Sequence, residues 1–467
     1  MDTTRKLHNR KAFTIVELII VIAVISVLAS VLVPTFRDVI SKAQSSKAAM
    51  EDAAARKAFF ARHPTVSSAT FYSTLNDALG GTNDCGAGIA SAAVYEENGR
   101  THIALLRDTE CGGLAVSSDV TVHLDGSALQ FSSPMVVSAD NVVIDGSADE
   151  SAIEYAPKAR SIVSSLIEVS EGSTLTLIGG TYVWEAASGI TNMITVAGDL
   201  VISDATIIGK QDSGEIYGVK VESTGTLEMR HCTVEVSGST CVCYGVDSKG
   251  GVNIADSSLI ALTNYGGIGN NANGKYTSRS SGLRCYGYLR MQNCYAEGTH
   301  SGVLVFGDSN IDGGIYQSYG HGGIYFAGAG KTNYLRNATL RWSALPKGFQ
   351  DKGAGTNQAA MYIGGATGLD NITVYADGCS FEAPMQVICM RGSSNEKNNT
   401  IYISNSSINL DYTHSGVRVD NTTHKVYLGS GNNFAVEDVK NRNHQNFDTT
   451  NVVFVTEDVY DASYYAD

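Results

Sequence analysis

The sequence predicts a mainly β protein, with a long N-terminal α-helix followed by a right-handed parallel β-helix of about ten rungs. Three observations lead there. An unbroken apolar run covers Phe13 to Val33. From about residue 115 a short segment, apolar-x-apolar-x-[Asn/Asp/Gly]-small, recurs ten times. A second short strand precedes most copies, as in "GVKV" (Gly218–Val221), "GLRC" (Gly282–Cys285), "GVLV" (Gly302–Val305), "GIYF" (Gly323–Phe326), "AMYI" (Ala360–Ile363) and "GVRV" (Gly416–Val419). The chain then divides into a basic segment 1–12, a helix 13–62, a small α/β region 63–115, the β-helix 116–435 and a C-terminal cap 436–467.

The opening segment is basic and the rest is acidic. Of a net −14 over 467 residues, the first twelve contribute +3, so the remainder carries −17. An acidic body is a poor partner for nucleic acid, whose affinity comes from neutralised phosphates. Nine cysteines in a long chain with irregular spacings, and no CxxC, exclude a small disulfide scaffold and a structural zinc site. Neither a metal nor a cofactor is expected.

The run from Phe13 to Val33 has the length of a membrane-crossing helix, for which about 20 residues suffice. Preceding basic residues favour a cytoplasmic N-terminus. The run is too long for a cleaved secretory signal and no A-x-A site follows it. An ordinary anchor leaves Glu17 unexplained, because a carboxylate at depth in lipid costs about 2.5–3.5 kcal/mol. The stretch "KAFTIVELI" resembles the processing site of type IV prepilins and pseudopilins.

That resemblance covers residues 1 to about 60, with a weaker extension to about 115. It implies that a prepilin peptidase removes the leader between Ala12 and Phe13, and that Phe13 becomes a methylated N-terminus. Glu17 then stands fifth and Pro34, a helix-kinking proline, twenty-second. The family usually has glycine before the cut, where this chain has Ala12. Processing is expected to survive at a lower rate, since alanine is also small. The resemblance also implies other pilin subunits as partners. The chain would be a single-pass protein of the cytoplasmic membrane before assembly, and part of a surface filament afterwards. In the filament, Glu17 is expected to pair with the new amine of a neighbouring subunit, since a buried carboxylate needs a positive partner.

Beyond Pro34, Phe36, Val39, Ile40, Ala43, Met50, Ala54 and Phe60 keep helical spacing. They predict an amphipathic second half packed on a globular body and ended by His63-Pro64. Residues 65–80 read as a short helix with Phe71, Leu75 and Leu79 on one face. "AAVYEENGRTHIALL" reads as a hairpin turning at Asn98-Gly99. Cys85 and Cys111 flank it, either as a disulfide or as two free thiols.

The small residues of the ten segments are Gly180, Ala205, Cys232, Ser257, Cys294, Gly314, Ala338, Cys379, Ser406 and Gly431, mostly 20–27 apart. The two wider gaps hold "NYGGIGNNANGKYTSRS" and "SALPKGFQDKGAGTNQ", which read as loops inserted into single rungs. A sandwich repeats less regularly and a propeller blade needs about 40 residues. Cys232, Cys294 and Cys379 take the small position; Cys285 and Cys389 are expected to point inward. Cys241 and Cys243 have no assignment.

The repeats resemble the parallel β-helices of pectate lyases, polysaccharide hydrolases and phage tailspikes, so an enzyme is one alternative. Such chemistry needs paired carboxylates or a calcium-binding acidic cluster. The outward columns, Lys220, Asp247, Arg284, Leu304, Tyr325, Tyr362 and Arg418 in one strand and Glu228, Asn253, Arg290 and Asn310 in the other, hold one carboxylate each. Lys220, Asp247 and Arg284 read as a solvated charge ladder. Gly320-His321-Gly322 resembles the G-H-G of polygalacturonases, but their N-T-D, D-D and R-I-K motifs are missing. No catalytic residue is assigned. Tyr286, Tyr288, Tyr316, Tyr319 and Tyr325 suggest an exposed aromatic strip suited to a glycan or to a host or surface protein. The expected function is a structural or adhesive pilin displaying a β-helical binding domain. The alternatives are a membrane-tethered polysaccharide lyase or hydrolase, and a pseudopilin of a secretion or competence system.

Overall fold

The structure is a computed structural model that describes residues 14–83, 85–86, 88–155, 165–263, 280–343, 359–364, 368–383, 386–391, 397–410, 417–419, 423–434 and 452–454. The two inserted loops, apart from their end residues Ser280 and Ser343, and nearly all of the expected cap lie outside the described residues. Helix α1 runs unbroken over Ile15–Arg62. Thr14 is its N-cap, and with Glu17 it forms a capping box. Pro34 is accommodated inside the helix although it lacks an N–H. Around it the Ser30 and Thr35 hydroxyls donate to the Val27 and Val31 carbonyls, at 2.7 and 2.8 Å.

The second half of α1 packs on the body over a shorter stretch than its periodicity suggests. Phe36, Val39, Ile40 and Met50 are exposed, Phe36 by 61% and Met50 by 74%. Burial begins at Asp52, whose carboxylate accepts the Ala90 N–H at 2.7 Å and pairs with Arg56 at 2.7 Å and Arg107 at 3.4 Å. Phe59 then meets Phe71 and Tyr95 edge-to-face. Amphipathic spacing marks a face that needs covering; it does not say whether the same chain supplies the cover.

Residues 65–80 are not one helix. Phe71 lies in strand β1 (Thr70–Tyr72), and only α2 (Leu75–Gly80) is helical, capped by the Thr74 side chain. The β-favouring Thr-Phe-Tyr ahead of that cap wins locally. The hairpin forms as expected between β2 (Ala92–Glu97) and β3 (Arg100–Leu105), with Asn98 and Gly99 both at positive φ. Cys85 and Cys111 are free thiols in two different clusters, Cys85 beside the Phe59 group and Cys111 in the main core.

The solenoid is continuous with the hairpin. Strand β3 already pairs in parallel with Val120–His123, so sheet A runs on past residue 115 without a break. Sheet A holds one strand per rung, and its last strand among the described residues is Val452–Phe454. Sheet B holds two per rung in most of the solenoid, as in Thr233–Gly238 and Thr240–Ser248. Leu175, Leu200, Leu227, Val252 and Leu289 stack in one inward column, and neighbouring rungs close it into a single core.

The recurring [Asn/Asp/Gly] has a backbone cause. Gly179, Asp204, His231, Asp256, Asn293, Gly313, Asn337, Gly378, Asn405 and Gly431 all have φ between 48° and 72°. The first nine turn the chain from sheet A into sheet B through the left-handed region that Gly, Asn and Asp tolerate best, with His231 as the one other residue type. Their N–H groups donate to the next rung, for example Asn293 to Asp312 O at 2.8 Å and Asn337 to Asp377 O at 2.9 Å. The small residue comes next. Ser257 and Ser406 there accept the Cys232 and Cys379 N–H groups at 3.0 Å. Gly431 is the left-handed residue of the last copy, and Asn432 takes the small position, its side chain accepting the Ser406 N–H at 2.9 Å. The glycine opening the second strand also has a reason: a Cβ on Gly302 would sit 2.6 Å from the carbonyl oxygens of Ala296 and Gly323.

Two other expectations change. Cys389 pairs in register with Tyr362 and lies in a covered cluster with it and Ala359, not in the main core. Val387 to Met390 are all buried, so alternation carried no signal there. Lys220, Asp247 and Arg284 do stack in register. Asp247 is nevertheless buried, pairing with Arg284 at 2.5 Å. Cys241 and Cys243 join the main core. Burial pushes the Cys285 and Cys379 thiols up to about 12, which makes them poor nucleophiles.

The body meets the end of α1 through titratable groups. His63, the C-cap of α1, lies 2.8 Å from the Asp125 carboxylate and 3.2 Å from the Tyr95 hydroxyl. His102 and His123 share a hydrogen bond at 3.0 Å, and His123 meets Asp145 at 3.2 Å. Tyr95, His102 and His123 form a stack at 5.2 and 5.3 Å, with Arg62, Glu97 and Arg100 nearby. Burial, and then the charge of His123, lower the His102 pKa.

Two outcomes follow from these contacts. Asn337→Val, placing a β-branched residue at φ 53°, should destabilise the solenoid by roughly 1–2 kcal/mol in a denaturant titration, whereas Asn337→Gly, which suits the φ and loses only the side-chain bond to Asp312, should cost less. Because folding lowers the His102 pKa, the unfolded chain takes up the proton first as pH falls. The His102 contribution is therefore full above about pH 6.5 and is lost as pH drops below it. The melting midpoint of the wild type should fall from pH 7 to pH 5.5 by more than that of His102→Asn; equal shifts would refute the assignment.

Candidate functional site

Thr14 and Glu17 build the N-terminal site. Glu17 Oε2 accepts from both the Thr14 N–H and the Thr14 hydroxyl at 2.8 Å, while Thr14 Oγ1 accepts the Glu17 N–H at 3.3 Å. The carboxylate thus sits at the positive end of the helix dipole. Ala12 and Phe13, the expected cleavage pair, lie outside the described residues. Among the described residues α1 is the one helix long and apolar enough to cross a membrane. Pro34 lies within the same continuous helix, where Val33 and Phe36 beside it are exposed.

The five expected tyrosines do not make one strip. Tyr286 and Tyr288 are exposed by 45% and 54%, and Tyr286 stacks on Phe306 at 4.4 Å. Tyr316 is a core residue whose hydroxyl donates to Gly313 O at 3.0 Å. Tyr319 is buried too, donating a short hydrogen bond to Glu297; burial and then that bond push its pKa up to about 12. Tyr325 is half-buried against Tyr362, their ring centres 4.9 Å apart. His321, the G-H-G histidine, is mostly buried among His300, Tyr325 and Tyr362. Carboxylates around this corner of sheet B are engaged: Glu297 also accepts from Tyr295 at 2.7 Å, and Glu382 pairs with Arg341 at 2.8 Å. Among the described residues no group of three His, Cys, Asp or Glu could hold a metal ion.

Sequence reading missed a different tyrosine array. Tyr334, Tyr375, Tyr402 and Tyr427 lie in register on the outer face of sheet A, ring on ring at 5.2, 4.8 and 4.7 Å. The signal was present as "TNY", "TVY", "TIY" and "KVY". It emerges when the sheet A strands are aligned in their paired register.

Comparison with known proteins places similarity at the N-terminus. Residues 7–33 match the family described as the prokaryotic N-terminal methylation motif. The type IV major alpha-pilin of Moraxella bovis is 42% identical over 52 residues, which is 11% of this chain and 33% of that protein. The chain thus spans about a third of the length of this relative. Among solved structures, the catalytic domain of a GH87 alpha-1,3-glucanase in complex with nigerose is similar over 74% of this chain and 63% of its own. Its sequence identity is 13% and its TM-score 0.29, a score at which neither fold nor activity transfers. The chain therefore carries a prepilin-type methylation motif and its apolar helix, joined to a parallel β-helix domain.

Proposed function

We propose that this chain is a pilin-like subunit of a type IV pilus or related surface filament, and that its β-helix is the displayed, ligand-binding part. One observation carries the reading. The methylation motif runs straight into a helix whose apolar face stays uncovered well beyond membrane length, at Phe36, Val39, Ile40 and Met50. Covering that face with neighbouring helices supplies the missing burial, at about 25 cal/mol per Å² of apolar surface.

Removal of the leader before Phe13 by a prepilin peptidase leaves a free amine beside Thr14, one turn from the Glu17 carboxylate. In lipid, Thr14 alone offsets part of the cost of that charge. In a filament, the amine of a neighbouring subunit completes the pair and sets axial register. A large head hinders dense packing of many copies, which favours a minor or tip position. Display on the cell surface follows from the same route of assembly.

Glu17→Ala should leave membrane insertion intact and remove the chain from purified fibres; normal incorporation would rule the pairing out. Mass spectrometry of fibre-associated chain should find Phe13 as the N-terminal residue, with an added methyl group. Ala12→Gly should speed processing in a pulse-chase measurement.

A further inference from the structure

The end of α1 is seated on the first rungs of sheet A, against three histidines. Ile103, Val122 and Ile144 point into the main core, so His102, His123 and Asp145, their neighbours in sequence, point outward. Tyr95 is the paired neighbour of His102, and Asp145 that of His123. The helix end closes over this face. The His63 ring lies 4.9 Å from that of Phe59 and 5.6 Å from that of His123. A neutral His63 that donates its Nε2–H to Asp125 at 2.8 Å leaves Nδ1 to accept the Tyr95 hydroxyl at 3.2 Å. Arg62 adds a bond to the Asp125 carbonyl at 2.5 Å.

This seam is built for a fixed number of protons. His102 Nδ1 faces His123 Nε2 at 3.0 Å, a contact in which one ring donates and the other accepts. A second proton sets two N–H groups head to head and two positive charges side by side. Asp145, held by the Ser147 N–H at 3.0 Å and the Ser147 hydroxyl at 2.6 Å, meets the His123 ring alone of the pair. Burial, and then the charge of His123, keep His102 neutral at pH 7. The charged groups facing the three rings are Arg62 from α1, Glu97 from β2, Arg100 from β3, Asp125 and Asp145. Two arginines against three carboxylates sum to −1. Charging all three imidazoles turns that into +2, in a place where water screens poorly because His63, Asp125 and His123 are mostly covered.

We propose that this seam is a proton-operated latch: acidification drives His102 off His123, unstacks Tyr95, and frees His63 and the last turn of α1 from the head. The holding points three turns earlier carry no histidine. Asp52 keeps the Ala90 N–H, Arg56 and Arg107, so the head stays attached and pivots there instead of dissociating. The latch is a property of the single chain and does not rest on the filament reading. In a filament it sets the tilt of the head against the stalk.

The test is hydrogen exchange read by mass spectrometry on the full chain in detergent micelles, at pH 7 and pH 5.5, with labelling times scaled for the pH dependence of intrinsic exchange. The reporters are the N–H groups of His63 and Val66, bonded to the Phe59 and His63 carbonyls at 2.9 and 3.1 Å. The His102 contribution is present above about pH 6.5 and is lost below it, so protection of both reporters should fall about tenfold at pH 5.5. Central rungs such as Thr226–Arg230 should stay protected. His102→Asn and His102→Phe, which take up no proton there, should show no such fall. The second keeps an aromatic ring in the stack, and melting at pH 7 identifies the folded variants. Unchanged protection in the wild type, an equal fall in either folded variant, or an equal loss in the central rungs would overturn the proposal.

Discussion

The hydrogen bond that one rung's turn makes to the next is the constraint on which this structure rests. A rung of three short strands cannot bury its own apolar side, so it is stable only when its neighbours lie over it in register. The left-handed residue that follows most sheet A strands of the solenoid supplies that register. It bends the chain sharply, and its N–H reaches a carbonyl of the following rung, as at Asp256, Asn293 and Asn337. Columns such as Leu175 to Leu289 inside and Arg290 to Tyr427 outside are consequences. Any side chain placed at a fixed offset from the turn is repeated along the axis.

The helix obeys the opposite logic. From Thr14 to Glu51 it finds no cover within its own chain, and only its last three turns are held by the body. Between Pro34 and Asp52 about 27 Å of helix stands free with apolar residues on show. A solitary soluble protein would not expose such a face, and a bilayer covers only the part before it. On the proposed reading, the matched methylation motif and the uncovered face are two views of one requirement, burial by other copies of such a helix.

Much of this was legible because its cause is local. Asn, Asp or Gly every 20–27 residues is the signature of a backbone that must turn left-handed, and it located the rungs even where insertions stretched the spacing. The hairpin was legible for the same reason at Asn98-Gly99. What failed depended on contacts between distant residues. Tyr316 and Tyr319 looked like surface tyrosines, yet inward register and the Glu297 carboxylate bury them. Cys389 sits in a segment buried on both sides, where alternation is silent. Cys85 and Cys111 flank one hairpin but belong to separate clusters. The sheet A tyrosines were invisible while the repeats were compared by their spacing alone.

The central claim, that other subunits cover the free helix, is tested most directly by thiol cross-linking at Val39. The native cysteines are all buried except the half-buried Cys85, so Val39→Cys adds an exposed thiol well separated from them along α1. In intact fibres treated with a short bis-maleimide, the account predicts that this variant is captured in covalent adducts with a neighbouring subunit bearing a cysteine at its equivalent helix position. Recovery of the variant solely as monomer, from fibres that contain it, would contradict the account.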